Sequence, residues 1–387
     1  FCWVFIALLA GCLGMAPEVL ASGKTGVKVL TLDEALRITL EKNKDIQKAR
    51  EYRNMVEGRY IEERAAVLPQ LQVTAFVSRD RDESLTTFFR GLIPVEKETR
   101  SGEIGLTQAL YTFGRIGAAI RAAEVGLATA DDQLRIFRQA AFRDVSASFY
   151  DVLLAKELRA LATQILEQRM RHLDEARKKF TAGVATEYDV LAAEVAAENA
   201  RPAVIRAENL IRTSREKFKF LLGIPEQVDV VGKLEAPPAL QPEYEDTVES
   251  AWKNRPELAD LRKRLEIAKE VVTIYDAGNL PRIELKAAYG WRQLVFGSTA
   301  GDGQEWSAGV YLTFPFFDGL RTRGKVIQAR TDVANLKIDE AKQLDSISLQ
   351  SRDAVYAFQE STQIVMALSD TVKQAERLLS MAEKGYE

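Results

Sequence analysis

Cysteine and histidine are nearly absent from this 387-residue sequence: Cys2 and Cys12 fall within the first dozen residues, and His172 is the one imidazole. The chain beyond residue 12 can form neither a disulfide nor a thiolate metal centre, and a lone histidine cannot build a His-rich one. His172 lies inside a long helical pattern and reads as a helix-surface residue. No metal or cofactor is expected. An excess of one charge sign is also missing. Lys and Arg number 53 against 56 Asp and Glu, well mixed, for a net −3, which gives nucleic acid nothing to hold. With 47% hydrophobic and 28% charged residues, a bundle of membrane helices is excluded. Gly-rich phosphate loops and ligand clusters are lacking, and a Ser-His-Asp arrangement would have to rest on His172 in mid-helix, so no enzyme is expected. Proline is missing between Pro94 and Pro202 and again after Pro315, which leaves two long stretches without a helix breaker.

The opening run, Phe1 to Met15, is apolar, too short to span a bilayer and followed by small residues, as in the apolar region of an export signal. It lacks an initiator Met and a basic start, so the amino end reads as truncated. Two processing readings stand open. Val19-Leu20-Ala21 permits cleavage before Ser22, making residues 1–21 a signal peptide. Leu9-Ala10-Gly11-Cys12 matches a lipobox, with Cys12 as the acylated residue. Both take the chain out of the cytoplasm.

The rest is an imperfect duplication. Asp45-Ile46 through Leu68-Pro69-Gln70-Leu71 matches Glu257-Leu258 through Leu280-Pro281-Arg282-Ile283 at one constant displacement, that from Pro69 to Pro281. After loops of different length a second constant displacement takes over, that from Arg115 to Arg321, and it also relates Tyr150 to Tyr356 and Phe180 to Tyr386. The repeats are expected at 31–230 and 247–387. In each, a helix (45–67, 257–279) stops at Leu-Pro, where proline lacks the donor and crowds the preceding turn. A strand follows: Leu71, Val73, Ala75 and Val77 alternate with Gln72, Thr74 and Ser78, Phe76 being the exception. Ile283, Leu285, Ala287, Tyr289 and Trp291 alternate likewise. Polar loops at 79–100 and 292–304 lead to return strands at 101–111 and 305–317, giving hairpins over 71–111 and 283–317. Tyr111, Phe113, Tyr289, Trp291, Trp306, Phe314, Phe316 and Phe317 fit either a membrane-water aromatic belt or the edge of an ordinary sandwich.

After each hairpin the chain turns helical. Leu134, Phe137, Ala141, Val145, Phe149 and Val152 mark part of an apolar stripe at steps of mostly three and four. A helix from 115 to 181 would extend about 100 Å at ~1.5 Å per residue. It ends at Ala182-Gly183, and Thr186 caps a return helix over 187–222, with Asp189 as capping-box partner and Pro202 predicting a kink. The stretch 225–246, with Pro237-Pro238 and Pro242, reads as an irregular linker. The second long helix, 321–387, ends where the first meets its turn, so the return helix of the second repeat is expected beyond the carboxyl end. The fold expected is mainly α with a small β part: long helices forming a coiled-coil tunnel, and four amphipathic strands. Four strands cannot close a barrel, and an open edge in lipid is costly, so several chains would have to share one transmembrane β-barrel.

Leu32-Asp33-Glu34-Ala35-Leu36, Asn254-Arg255-Pro256-Glu257-Leu258, both Leu-Pro-to-strand junctions, Pro315-Phe316-Phe317-Asp318-Gly319 and Gly183-Val184-Ala185-Thr186-Glu187-Tyr188-Asp189-Val190-Leu191 resemble, in this order, the TolC-like outer membrane efflux proteins, over about residues 31 to 387. The resemblance implies a homotrimer in outer-membrane lipid of Gram-negative bacteria, each chain giving four strands to one barrel, with an α-helical periplasmic tunnel below. It also implies a passive export conduit that docks to a periplasmic adaptor and an inner-membrane pump or type I secretion complex. The docking turn carried over is Ala182, Gly183, Val184, Ala185 and Thr186, with Asp189 and Leu191 just inside the next helix. A rival reading is an exported periplasmic coiled-coil adaptor or scaffold, which would explain the long helices but not two apolar-faced hairpins.

Overall fold

The computed structural model describes residues 27–81, 96–234 and 242–386. The expected signal peptide, the lipobox and Cys12 lie outside them. Strand β1 (Lys28–Leu30) is followed by helices α1 (Leu32–Lys42) and α2 (Lys44–Ala65), strands β2 (Gln70–Arg81) and β3 (Glu96–Tyr111), and helices α3 (Arg115–Thr181, 67 residues) and α4 (Glu187–Leu222). Then come β4 (Val228–Val230), α5 (Tyr244–Asn254), α6 (Pro256–Asp276), a 3-10 turn (Ala277–Asn279), β5 (Arg282–Phe296), β6 (Thr299–Thr313) and α7 (Arg321–Tyr386).

Two compact units divide the described residues, and they do not coincide with the two sequence repeats. One takes the residues up to Lys42 with Arg143–Leu234; the other takes Asn43–Phe142 with the residues after Leu234, so it draws on both repeats.

The first unit holds the most enclosed core. β1 and β4 pair in parallel, Leu30 beside Val230. Leu30, Val145, Val152, Phe218, Leu222 and Val228 are each almost fully buried there. The Phe149 and Phe218 rings meet at 6.0 Å between centroids. Each such side chain contributes about 1.5–3 kcal/mol on leaving water. Asp229, the middle residue of β4, bonds Lys156 of α3 at 2.7 Å and Arg215 of α4 at 2.8 Å. β4 and the start of α5 fall within the stretch 225–246, expected to be irregular throughout. Three-residue strands have too little periodicity to show in a sequence, and the parallel partner is far away in the chain. Residues 235–241 of that stretch lie outside the described residues. α4 runs on through Pro202, where a kink was expected.

The second unit is organised by an antiparallel sheet in the order β2-β3-β5-β6. Its two hairpins have one and the same register. Leu71 stands opposite Leu106 in the first, and Ile283 opposite Leu312 in the second. These four positions match under the displacements Pro69-to-Pro281 and Arg115-to-Arg321. The junctions to the long helices repeat too. Phe113 (φ 51°) and Gly114 (φ 86°) follow β3, and Gly319 (φ 69°) and Leu320 (φ 67°) stand at the equivalent places after β6. Each junction puts two consecutive residues in the left-handed region, with glycine relieving one of them.

The hairpins are longer than the sequence patterning indicated. Arg79–Arg81 and Glu96–Arg100, expected in a loop, are paired strand, with Arg79 opposite Glu98. Residues 82–95 lie outside the described residues. In the second hairpin the polar loop 292–304 is also strand, from Arg292 opposite Gly303 to Phe296 opposite Thr299, leaving Gly297 and Ser298 as the turn. Backbone pairing is indifferent to side-chain polarity, and cross-strand ion pairs favour it here: Arg292 bonds Glu305 at 2.7 Å, and Arg79 bonds Glu96. β6 in turn stops at Thr313, before Pro315, so Phe314, Phe316 and Phe317 belong to the junction rather than the strand.

Candidate membrane sheet and helical-turn sites

Directly opposed residues of neighbouring strands share a face, so the register sorts every side chain of the sheet. One face carries Leu71, Val73, Ala75 and Val77 of β2, Ile104 and Leu106 of β3, Leu285, Ala287, Tyr289 and Trp291 of β5, and Trp306, Ala308, Val310 and Leu312 of β6. The other carries Gln72, Thr74 and Ser78, Ser101, Glu103 and Thr107, Glu284, Lys286 and Arg292, and Glu305 and Ser307. Phe76, the exception in the alternation, lies on this polar face opposite Ser101.

Among the described residues, nothing covers the apolar face. Val73 is 77% exposed and Trp306 is 75% exposed. A contiguous apolar surface spanning four strands marks a lipid or protein contact. No described helix is long and apolar enough to cross a membrane, so among the described residues a span would have to be carried by strands. The strands have 12 to 16 residues, more than the roughly 9–11 that a tilted transmembrane strand needs.

The structure divides the eight aromatic candidates into two levels. Tyr289 stands opposite Trp306, and Trp291 is one rung further along the same apolar face. At the opposite end of the strands Tyr111 and Phe113 pack edge to face at 4.7 Å, and Phe314 and Phe316, beside Phe317, lie tilted at 6.5 Å between centroids. From Ile283 to Trp291 is about 26 Å along the strand at ~3.3 Å per residue, comparable with the ~25 Å apolar band that aromatic girdles flank. The charged ladder above Trp291 (Arg79, Glu98, Arg100) escaped the sequence reading. Its signal, cross-strand opposite charges continuing the same alternation, becomes visible only with the register.

The second candidate site is the turn between α3 and α4, within the first unit. The Ala182, Gly183 and Val184 amides donate to the carbonyls of Lys178, Phe180 and Lys179, closing α3, and Gly183 takes φ 75°. Thr186 then opens α4 with a complete capping box. Its Oγ1 accepts from the Asp189 amide at 3.3 Å, and its own amide donates to Asp189 Oδ2 at 2.8 Å. The Thr186 hydroxyl, and next its amide, hold the Asp189 carboxyl below the usual carboxylate range against a small opposing effect of burial. Beneath the turn, Leu173 and Ala176 pack on Ala193 and Ala197, small residues that let the helices approach closely. Outward stand Val184 and Leu191, both exposed, while Ala185 is half-buried. Tyr188, as exposed as Val184, was not singled out from sequence; an aromatic at the second position of the helix was the available sign.

Comparison with known proteins agrees with this geometry. The profile of the outer membrane efflux protein family matches residues 35–224 and 247–387, and the chain belongs to that family. Membership makes it a protein of the Gram-negative outer membrane, in a family of transport conduits. It is similar to the outer membrane protein OprJ of Pseudomonas aeruginosa, 24% identical over 97% of this chain and 82% of that one. It is similar also to the outer membrane efflux protein BepC of Brucella suis, 23% identical over 65% of this chain and 55% of that one. The chain spans 54% to 62% of the length of three of the curated relatives it matches. Among solved structures, the outer membrane protein VceC of Vibrio cholerae superposes with a TM-score of 0.72 at 18% identity, covering 92% of this chain and 85% of that one. The fold is therefore the TolC-like one, with a helical tunnel part and a β-barrel part.

Proposed function

We propose that the protein is the outer-membrane channel subunit of a tripartite efflux or type I secretion assembly: a homotrimer whose chains each give four strands to one barrel. The observation carrying this reading is the two-faced sheet. One face is apolar and uncovered, the other is polar, and the edges β2 and β6 have no further strand partner among the described residues. An unpaired edge in lipid leaves backbone groups unsatisfied at several kcal/mol each, and a barrel shared between chains removes every edge. The polar face then lines a water-filled bore. Transport through it is passive, no bond is made or broken, and the partner pump supplies the energy.

The turn Ala182–Thr186, with Asp189 and Leu191, is the surface we assign to the periplasmic adaptor. Tyr111, Phe113, Tyr289, Trp291, Trp306, Phe314, Phe316 and Phe317 form the aromatic belts. Residues 1–21 serve as the export signal or, if Cys12 is acylated, residues 1–11 are the leader and Cys12 carries the lipid. The rival periplasmic adaptor role leaves the uncovered apolar face without purpose.

Spin labels at Val73, Leu285 and Val310 test the reading in reconstituted vesicles. Accessibility to oxygen and protection from a polar relaxant are expected, with ion conductance in planar bilayers. Labels that report only water, or a protein that stays monomeric in detergent, would overturn it.

A further inference from the structure

The side of the sheet that carries the apolar residues continues beyond Trp291. Arg100, opposite Val77 and Gln293, comes one step further toward the hairpin turns, and Arg79 opposite Glu98 and Arg81 opposite Glu96 follow on the same side. Each same-side step of two residues adds about 7 Å at ~3.3 Å per residue, so these arginines stand just past the aromatic level. Arg100 Nε donates to Glu98 at 2.7 Å, and Arg79 bonds Glu96. In both pairs the cation is the more exposed partner. The Arg100 side chain is 52% exposed against 27% for Glu98, and that of Arg79 is 69% exposed against 48% for Glu96. A guanidinium has five N–H donors, so one carboxylate does not exhaust it.

Next to the arginines the same side is dented. Gly102 stands between Ala75 and Trp291, and the space where its side chain would be is open. Two shallow hollows, of about 350 and about 380 Å³, both include Gly102 and Trp291. The first reaches Val73, Ile104 and Tyr289, and the second reaches Val77 and Arg100. Together they form a trough that runs from aliphatic and aromatic side chains to a guanidinium. The Trp291 indole on its flank is tethered, its Nε1 donating to Asp302 at 3.4 Å.

We propose that this trough holds a phosphorylated lipid of the outer leaflet, with an acyl chain over Ala75 and Gly102 beside Trp291 and its phosphate on Arg100 and Arg79. The site rests on the channel reading, which turns this side of the sheet to lipid, and it adds a specific ligand to that reading. The long helices leave the sheet at its Tyr111 and Phe314 end, so in a channel with periplasmic helices the arginine end lies at the exterior headgroups. A guanidinium fork matches phosphate oxygens bidentately, and basic side chains at headgroup depth attract anionic lipid. Glu96 and Glu98, the less exposed members of their pairs, orient the two forks.

The full chain, extracted from outer membranes in mild detergent and stripped of lipid, is titrated with bisphosphorylated lipid A, and bound lipid is counted by native mass spectrometry. The parent is expected to retain it, and to bind the fully dephosphorylated form about tenfold more weakly, because the charge-assisted contacts are gone. Arg79→Gln with Arg100→Gln is expected to show a similar loss for the phosphorylated form, with conductance in planar bilayers unchanged. Gly102→Leu, which fills the trough and keeps both arginines, is expected to weaken binding of both forms. Glu96→Gln with Glu98→Gln keeps the cations and is expected to bind at least as tightly as the parent. Equal losses in the two double variants would mark ion pairs that only support the strands, and would overturn the site. Equal binding of the two lipid forms by the parent overturns it as well, and decides the matter even where a variant does not assemble. Displacement of lipid A by an equal concentration of inorganic phosphate would mean a free-anion site and would also overturn it. A parent chain that conducts but fails these lipid measurements sinks this site alone; one that neither inserts nor conducts sinks the channel reading with it.

Discussion

Gly290 stands opposite Glu103 across the β3–β5 pairing with no room for a side chain: a carbon added at Gly290 would lie 2.7 Å from Glu103 Cα and 2.5 Å from the Gly102 carbonyl oxygen. Two of the three nearest atoms are backbone and the third is Glu103 Cβ, fixed to that backbone, so the strands themselves would have to part. Gly290→Val is expected to destabilise the barrel by about 1–3 kcal/mol or more through overpacking, read as loss of the heat-resistant oligomer band. Gly102→Ala, at a position with open space, serves as the control and is expected to leave that band in place.

The two faces of β2 can be separated by one residue. Val73→Arg puts a cation on the apolar face, at an expected cost of about 2–4 kcal/mol if that face meets the bilayer midplane. Thr74→Arg, on the polar face, is expected to fold normally. The measurement is the denaturant midpoint for folding into lipid vesicles. Equal effects of the two substitutions would count against the assignment of faces.

At the turn, Thr186→Ala removes the hydroxyl that caps α4, an expected loss of about 1 kcal/mol in the first turn. Amide hydrogen exchange over Glu187–Val190 should quicken, while Thr186→Asn should preserve most of the protection. The Asp189 carboxyl is held low by the Thr186 hydroxyl and amide, so its contribution is complete above the unfolded carboxylate value and disappears as pH falls through the lower folded one. Exchange at these amides, corrected for intrinsic rates, should therefore lose its Asp189-dependent protection only in that acidic window, and Asp189→Asn should abolish the pH dependence.

Asp229 ties the short β1–β4 pair to both α3 and α4. Burial pushes its carboxyl upward. The hydrogen bond from Lys156, the Val230 amide and the charges of Lys156 and Arg215 together outweigh that and leave it lowered. Its stabilising effect is accordingly present above the unfolded value and lost as pH falls through the folded one. Asp229→Asn should cost about 2 kcal/mol, the scale of a hydrogen bond to a charged group, seen as a lower thermal midpoint at neutral pH that converges with the parent chain in acid.

Much of this architecture could be read from the chain. Leu68-Pro69 and Leu280-Pro281 stop α2 and the 3-10 turn after α6, Thr186 and Asp189 open α4, and the alternation from Leu71 to Val77 places an apolar face on β2. These are local effects, set by a missing donor, a side-chain cap or a period of two, and they act within a few residues. The upper halves of the hairpins were hidden because Arg79 and Arg292 have loop-like chemistry, and only the partner strand supplies Glu96 and Glu305, whose ion pairs favour the extended pairing.

What the amino-acid order determined alone was the duplication, the element types and the positions of the caps and breakers, because each depends on neighbours along the chain. Tertiary structure decided which strand lies beside which, that β3 rather than β2 borders β5, that Gly290 must be glycine, and that Asp229 joins three segments. Those facts depend on residues dozens to hundreds of positions apart meeting at contact distance, where close packing and backbone pairing discriminate between arrangements that local propensity leaves equal.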